Sequence, residues 1–191
     1  MGVKEQMIGI LRSGEAKRIR FSFRGTTGAT ISVDASSFER VAAALQNGTI
    51  SVVEGRFTTD IAMYSARADL ATNAAANTFY LGSNPRYSRI FNALIIHESV
   101  HASFDLTSSR LPWVDNEAAA YIAQAYYARN SGLNRMAFRL GSHPSTAYQI
   151  VTNMRANSTS DVDFFLDALR TTLRGDRLYS HYINDEFRGD G

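Results

Sequence analysis

The spacing of hydrophobic and polar positions changes at about residue 84. Ahead of it the rhythm is mainly the two-residue alternation of half-buried strands. Residues 18–23 place Ile19, Phe21 and Phe23 on one face, and residues 29–34 read as a second strand after a turn at 24–28. Residues 49–55 and 77–82 give two more strands, while 56–76 follows neither period. One helix interrupts this half, with Ser36 or Ser37 as its N-cap and Gly48 just past its end. Beyond residue 84 the period becomes helical. Asn84 and Pro85 supply a cap and a first-turn proline for a helix that runs to about Phe104. Asp115 caps a second helix over 116–129, stopped by Asn130, Ser131 and Gly132. Pro144 opens a third that continues through Met154. Ser160 and Asp163 resemble a capping box for a fourth, with Val162, Leu166, Leu169 and Leu173 as its apolar stripe and Gly175 at its end. The last residues are polar and read as a frayed tail.

Strands first and helices afterwards imply an α+β fold. At 191 residues the chain is expected to form one domain with a sheet-containing part at about 14–101, a helical part at about 102–185 and a tail at 186–191. Composition removes several function classes. There is no apolar run near the length that spans a bilayer. The first fifteen residues make a poor signal peptide, with one short apolar patch (Met7 to Leu11) and no small-residue cleavage site. A cytoplasmic location, or export without a cleavable signal, is expected. A net charge of +2 is too mild to imply nucleic acid, and Lys17, Arg18, Arg20 and Arg24 read as the solvated face of an edge strand. The tripeptide Arg188-Gly189-Asp190 lies in the tail and adds no weight to an adhesive role. With no cysteine in the chain, any metal must be held by His, Asp or Glu.

One stretch carries chemistry. Residues 94–105 read LIIHESVHASFD, an HExxH pattern within the apolar helix expected there. Residues i and i+4 lie on one helix face, about 6 Å apart along the axis, so His97 and His101 can reach one ion. Glu98 is turned about 100° from His97 and flanks the ion, where it can move a proton. Burying two imidazoles and a carboxylate costs several kcal/mol unless they are satisfied, and a metal ion would satisfy all three. A third ligand follows by elimination. The metzincin spacing needs Gly and His where Phe104 and Thr107 stand. Asp105 lies one turn too far along the same helix, and Asp115 is taken as a helix cap. Glu117 remains, at the start of the next helix, followed by alanines that allow close packing.

HESVHASFD followed by NEAAAYIAQAYY resembles the gluzincin metallopeptidases, above all their small members: minigluzincins, the anthrax lethal factor catalytic domain and ImmA/IrrE-type peptidases. The resemblance covers about residues 77–129. It implies a zincin-like α+β fold, with Zn²⁺ held by His97, His101 and Glu117 and Glu98 as general base and acid. The implied activity is peptide-bond hydrolysis on a peptide or protein substrate, with no membrane or nucleic-acid partner. The alternative is a non-catalytic zincin-like protein with a structural zinc. Two positions depart from the pattern. Thermolysin-like enzymes carry an Asp four residues after the Glu ligand, where this chain has Tyr121; Asp105 is the candidate to orient His101 instead. No Tyr or His stands at 102–116 to steady an oxyanion, which leaves Arg110, Trp113, Tyr121, His143, Tyr148 and His181 as candidates. The strand at 77–82 is the candidate for binding extended substrate by strand addition.

Overall fold

The structure, a computed structural model, describes residues 2–57, 61–82, 88–133 and 141–190. It is a mixed α+β fold. In chain order the elements are α1 (Val3–Leu11), α2 (Gly14–Lys17), β1 (Phe21–Arg24), β2 (Thr30–Val33), α3 (Ala35–Asn47), β3 (Ser51–Phe57), β4 (Ala62–Ser65) and β5 (Thr78–Gly82). They continue with α4 (Arg89–Leu106), β6 (Arg110–Pro112), α5 (Trp113–Asn130), α6 (Ser142–Arg155), α7 (Thr159–Gly175) and β7 (Glu186–Arg188). Among the described residues no helix is long and apolar enough to cross a membrane.

The strands form three small sheets. β1 and β2 are an antiparallel pair, and β6 and β7 another. In the third sheet the order is β3-β5-β4, with β5 parallel to β3 and antiparallel to β4. β5 is therefore paired along both edges and cannot accept a further strand, contrary to the expectation for 77–82. The outer edges of this sheet belong to β3 and β4; β4, the edge that meets α4, lies inside the segment that followed neither period. β4 alternates in burial, with Ala62 and Tyr64 buried and Met63 and Ser65 half-buried, but the apolar Met63 on the outer face hides that pattern in the sequence.

Local chemistry explains the ends of α3 and the start of α4. Asp34, rather than Ser36 or Ser37, caps α3; it accepts from the Ser36 N–H at 2.9 Å, and Ser37 returns the bond to the Asp34 N–H. Gly48 closes the helix at φ 85°, a backbone conformation that costs glycine little. Ser88 caps α4, its hydroxyl accepting from the Phe91 N–H at 3.1 Å; the expected Asn84-Pro85 start lies outside the described residues. α7 begins at Thr159 with Ser158 ahead of it, and no Ser160–Asp163 capping box forms. The N-terminal helix α1 was not among the expected elements; Val3, Met7, Ile10 and Leu11, spaced i, i+4, i+7, i+8, are its buried face.

Two expectations fail more instructively. Asp115 does not cap α5. It lies inside the first turn, fully buried, and accepts from the Thr26 N–H and hydroxyl at 2.7 Å each and from Arg170 of α7 at 2.7–2.9 Å. The tail is not frayed. β7 pairs with β6, and Phe187 is buried against the ring of Trp113, so an apolar anchor offsets the ordering of a polar segment.

α4 occupies the middle of the molecule, touching α1, α3, α5 and β4. From Ile95 to Ser103 every residue on it is buried, whichever way it points. α5 lies alongside, with its alanines 118, 119, 120, 123, 125 and 128 buried. Small side chains let the two backbones approach, and that approach brings the start of α5 against the polar residues of α4.

Candidate metal centre

His97, His101 and Glu117 converge in the seam between α4 and α5. His97 Nε2 lies 3.4 Å from Glu117 Oε2, and His101 Nε2 lies 3.8 Å from Oε1. Ligand atoms of the three residues all fall within 4.8 Å of one another. Donors about 2.0–2.1 Å from a tetrahedral ion stand roughly 3.3–3.4 Å apart, so the cluster has the dimensions of a metal site. Glu117 Oε2 is buried without a hydrogen-bond partner, as expected of a donor atom reserved for an ion. The residues fit a metal.

The supporting contacts differ from those expected for His101. Its Nδ1 lies 2.9 Å from Oδ1 of Asn116, the neighbour of Glu117. Accepting there, Asn116 keeps the proton on Nδ1 and leaves the Nε2 lone pair directed at the cluster. Asp105, the candidate for that task, is engaged elsewhere. One of its oxygens accepts from the Tyr64 hydroxyl at 2.6 Å, the other from the Asp190 N–H at 3.1 Å. His97 packs edge-on against Tyr121, ring centroids 4.6 Å apart. Its Nδ1 and the Oε1 of nearby Gln124 are both buried without a hydrogen-bond partner.

Glu98 sits beside the cluster, on the side facing the sheet. Its Oε2 accepts from the Tyr64 N–H of β4 at 2.9 Å. Because Gly82 N–H bonds to the Ile61 carbonyl, the alternation along β4 turns the main-chain groups of Ala62 and Tyr64 away from β5, toward the site. The two carboxyls are pushed in opposite directions. Burial raises the pKa of Glu98 above the usual carboxyl range, against the pull of His97 and His101. Burial also opposes the charge on Glu117, but the two histidines outweigh it and lower its pKa. Burial likewise opposes the His97 imidazolium, yet contact with Glu117 and the charges of Glu98 and Glu117 raise its pKa. Glu117 is thus kept anionic, while Glu98 is disposed to take up a proton.

Two cavities meet at this point. One, of about 460 Å³, is bordered by His97, Glu98, His101 and Glu117 together with β4, Trp113, Tyr179, Tyr182 and β7. The other, of about 700 Å³, opens on the far side of His97 and Glu98 and is lined mainly by apolar residues, including Ile61, Phe91, Leu94 and Leu178. The site is therefore buried beneath its ligands and open above them.

The oxyanion candidates separate by position. Tyr121 is turned to Tyr179, hydroxyls 2.5 Å apart, and His143 lies behind this pair, 3.7 Å from Asp176. Tyr148 packs under Arg129, His181 is exposed, and Arg110 faces a different cavity. Trp113 lines the cavity as a wall beside His101. The donor in reach is Tyr182, whose hydroxyl is 3.3 Å from Glu117 Oε1. Nothing in the sequence pointed to Tyr182 or Tyr64. Each lies far along the chain from HExxH and has no fixed spacing to it. Asn116 stood next to Glu117 and was open to notice.

Compared with protein-family models, curated proteins and solved structures, the chain has no match.

Proposed function

We propose that the protein is a zinc-dependent peptidase of gluzincin type, with a zincin-like arrangement of sheet edge, HExxH helix and Glu-bearing helix. The observation that carries this reading is the convergence of His97, His101 and Glu117 with Glu98 tied to the open edge of β4. Two imidazoles and a carboxylate suit Zn²⁺, and structural zinc sites use four protein ligands where this cluster has three beside a cavity. That count favours a catalytic site over a structural one. When bound, zinc supplies Lewis-acid polarisation of a carbonyl and lowers the pKa of water to about 7.

The chain's own residues do the rest. An extended peptide lies along β4, where Ala62 and Tyr64 direct main-chain groups toward it. Glu98 takes the proton of the attacking water and delivers it to the leaving amine. The Tyr182 hydroxyl donates to the oxygen that gains charge as the carbonyl becomes tetrahedral. Tyr121 and Trp113 wall the imidazoles off from solvent.

Elemental analysis of protein purified without added metal, paired with a peptide-library digest, tests the reading. The expected result is one zinc per chain, cleavage by the wild type, and a Glu98→Ala variant that keeps its zinc but cleaves nothing. A protein that cannot take up zinc, or a fully active Glu98→Ala, refutes it.

A further inference from the structure

The last turn of the cleft wall is made by the end of the chain, and its contacts lead to Glu98. β7 is fastened to β6 on both sides: the Trp113 N–H donates to the Asp185 carbonyl at 3.0 Å, and the Gly189 N–H to the Ser109 carbonyl at 2.9 Å. Glu186, Phe187 and Arg188 border the 460 Å³ cavity. Gly189 then rests directly on the backbone of α4. A Cβ there would lie 2.7 Å from Asp105 Cα and the Phe104 oxygen and 2.8 Å from the Asp105 oxygen, so only glycine fits the seat. The next residue reaches Asp105, whose carboxylate is fully buried and divided between two partners, the Asp190 N–H and the Tyr64 hydroxyl. Tyr64 in turn holds Glu98 through its own N–H.

We propose that residues 186–190 act as a positioning element for Glu98, working through Asp105 and Tyr64. The inference rests on the peptidase reading for its catalytic consequence, but not for its structural one. With the tail seated, Asp105 is saturated and fixes the Tyr64 side chain, and the edge of β4 is set against Glu98. With the tail displaced, Asp105 loses the Asp190 N–H and the cover of Gly189. The Tyr64 hydroxyl, left with an uncovered Asp105 and with Asn77 Oδ1 at 3.1 Å, is held less firmly, and the Glu98 carboxylate loses its alignment.

Gly189→Ala tests this in the full, metal-loaded chain, with Gly175→Ala as control because a Cβ at Gly175 meets nothing within 4 Å. Three quantities are read: hydrogen exchange at the Tyr64 amide, zinc content, and kcat and KM on an internally quenched peptide that the wild type cleaves. The expected result for Gly189→Ala is faster exchange at Tyr64, unchanged zinc, and kcat lowered roughly 10–100-fold with a smaller change in KM. Tyr64→Phe removes the same link without touching the tail and should reproduce the fall in kcat. Unchanged exchange at Tyr64, an unchanged kcat, or loss of zinc in Gly189→Ala overturns the proposal. If the wild type cleaves nothing, the peptidase reading fails, and the exchange measurement alone decides whether the tail holds Tyr64 against Glu98.

Discussion

Helices α7 and α4 are of nearly equal length and are built on opposite plans. α7 buries Leu166, Leu169 and Leu173 along one stripe, with Arg170 as the one charged residue beside them, and leaves Phe164 69% exposed on the other side. α4 buries both kinds of residue, His97, Glu98, His101 and Asp105 as well as Ile95, Ile96 and Val100. A one-sided helix needs only a core to lie against. A helix buried all round must find a partner for every polar group, or lose several kcal/mol for each one left bare. On α4 those partners come from elsewhere in the chain: Tyr64 for Glu98 and Asp105, Asn116 for His101, Glu117 for the histidine pair. Where polar residues crowd a buried helix, its neighbours must supply the partners that satisfy them.

The contrast can be broken most severely at Glu117. Glu117→Ala leaves two imidazoles facing a cavity, and the variant is expected to lose its zinc on dialysis and all hydrolysis with it. A variant that retains stoichiometric metal would show that the seam between α4 and α5 is not the site. Next in size is Asp115→Ala, which tests the Arg170–Asp115 link between α7 and the start of α5. It takes the buried carboxylate from the Arg170 guanidinium, which keeps the Arg24 carbonyl at 2.8 Å and Asp167 at 3.3 Å, and should cost about 3 kcal/mol in chemical denaturation. A loss below about 1 kcal/mol would mean that the pair is solvated and that α7 is joined to α5 by its leucines alone.

Asn116→Ala is expected to be milder and more selective. His101 keeps its place in the cluster but loses the acceptor that fixes its tautomer, so zinc affinity should fall about 10–100-fold with little change in stability. Competition against a chelator of known affinity measures it. If affinity is unchanged there while Asp105→Asn weakens it, the assignment of the His101 partner is wrong. Phe164→Ala, on the exposed side of α7, should move stability by no more than about 0.5 kcal/mol in either direction. A larger loss would give that face an unrecognised contact.

Much of the arrangement was legible beforehand, for a physical reason. Periodicity is a local property, so the leucine stripe of α7, the alternation of Phe21 and Phe23, and the close of α3 at Gly48 could be read from neighbours along the chain. The i, i+4 spacing of His97 and His101 is likewise guaranteed by a helix, whatever packs around it. Glu117 was within reach because the helix expected over 116–129 put it in a first turn and because elimination left few carboxylates near enough.

The remaining features depend on which surfaces meet, and no local rule carries that information. Asp115 has the composition of a cap, but α7 and the β1–β2 turn supply a buried Arg170 and Thr26 that bind it more strongly than a helix end would. Asp105 shares a helix face with His101, yet the end of the chain and Tyr64 take both of its oxygens. The tail is polar along its length, but one Phe187 against Trp113 and one glycine without a Cβ are enough to seat it. The sequence by itself determined the two histidines, their helix and the carboxylates within range. Only the tertiary structure decided which carboxylate faces the pair, which strand edge is open, and what holds Glu98, because each of those depends on contacts between residues remote in the chain.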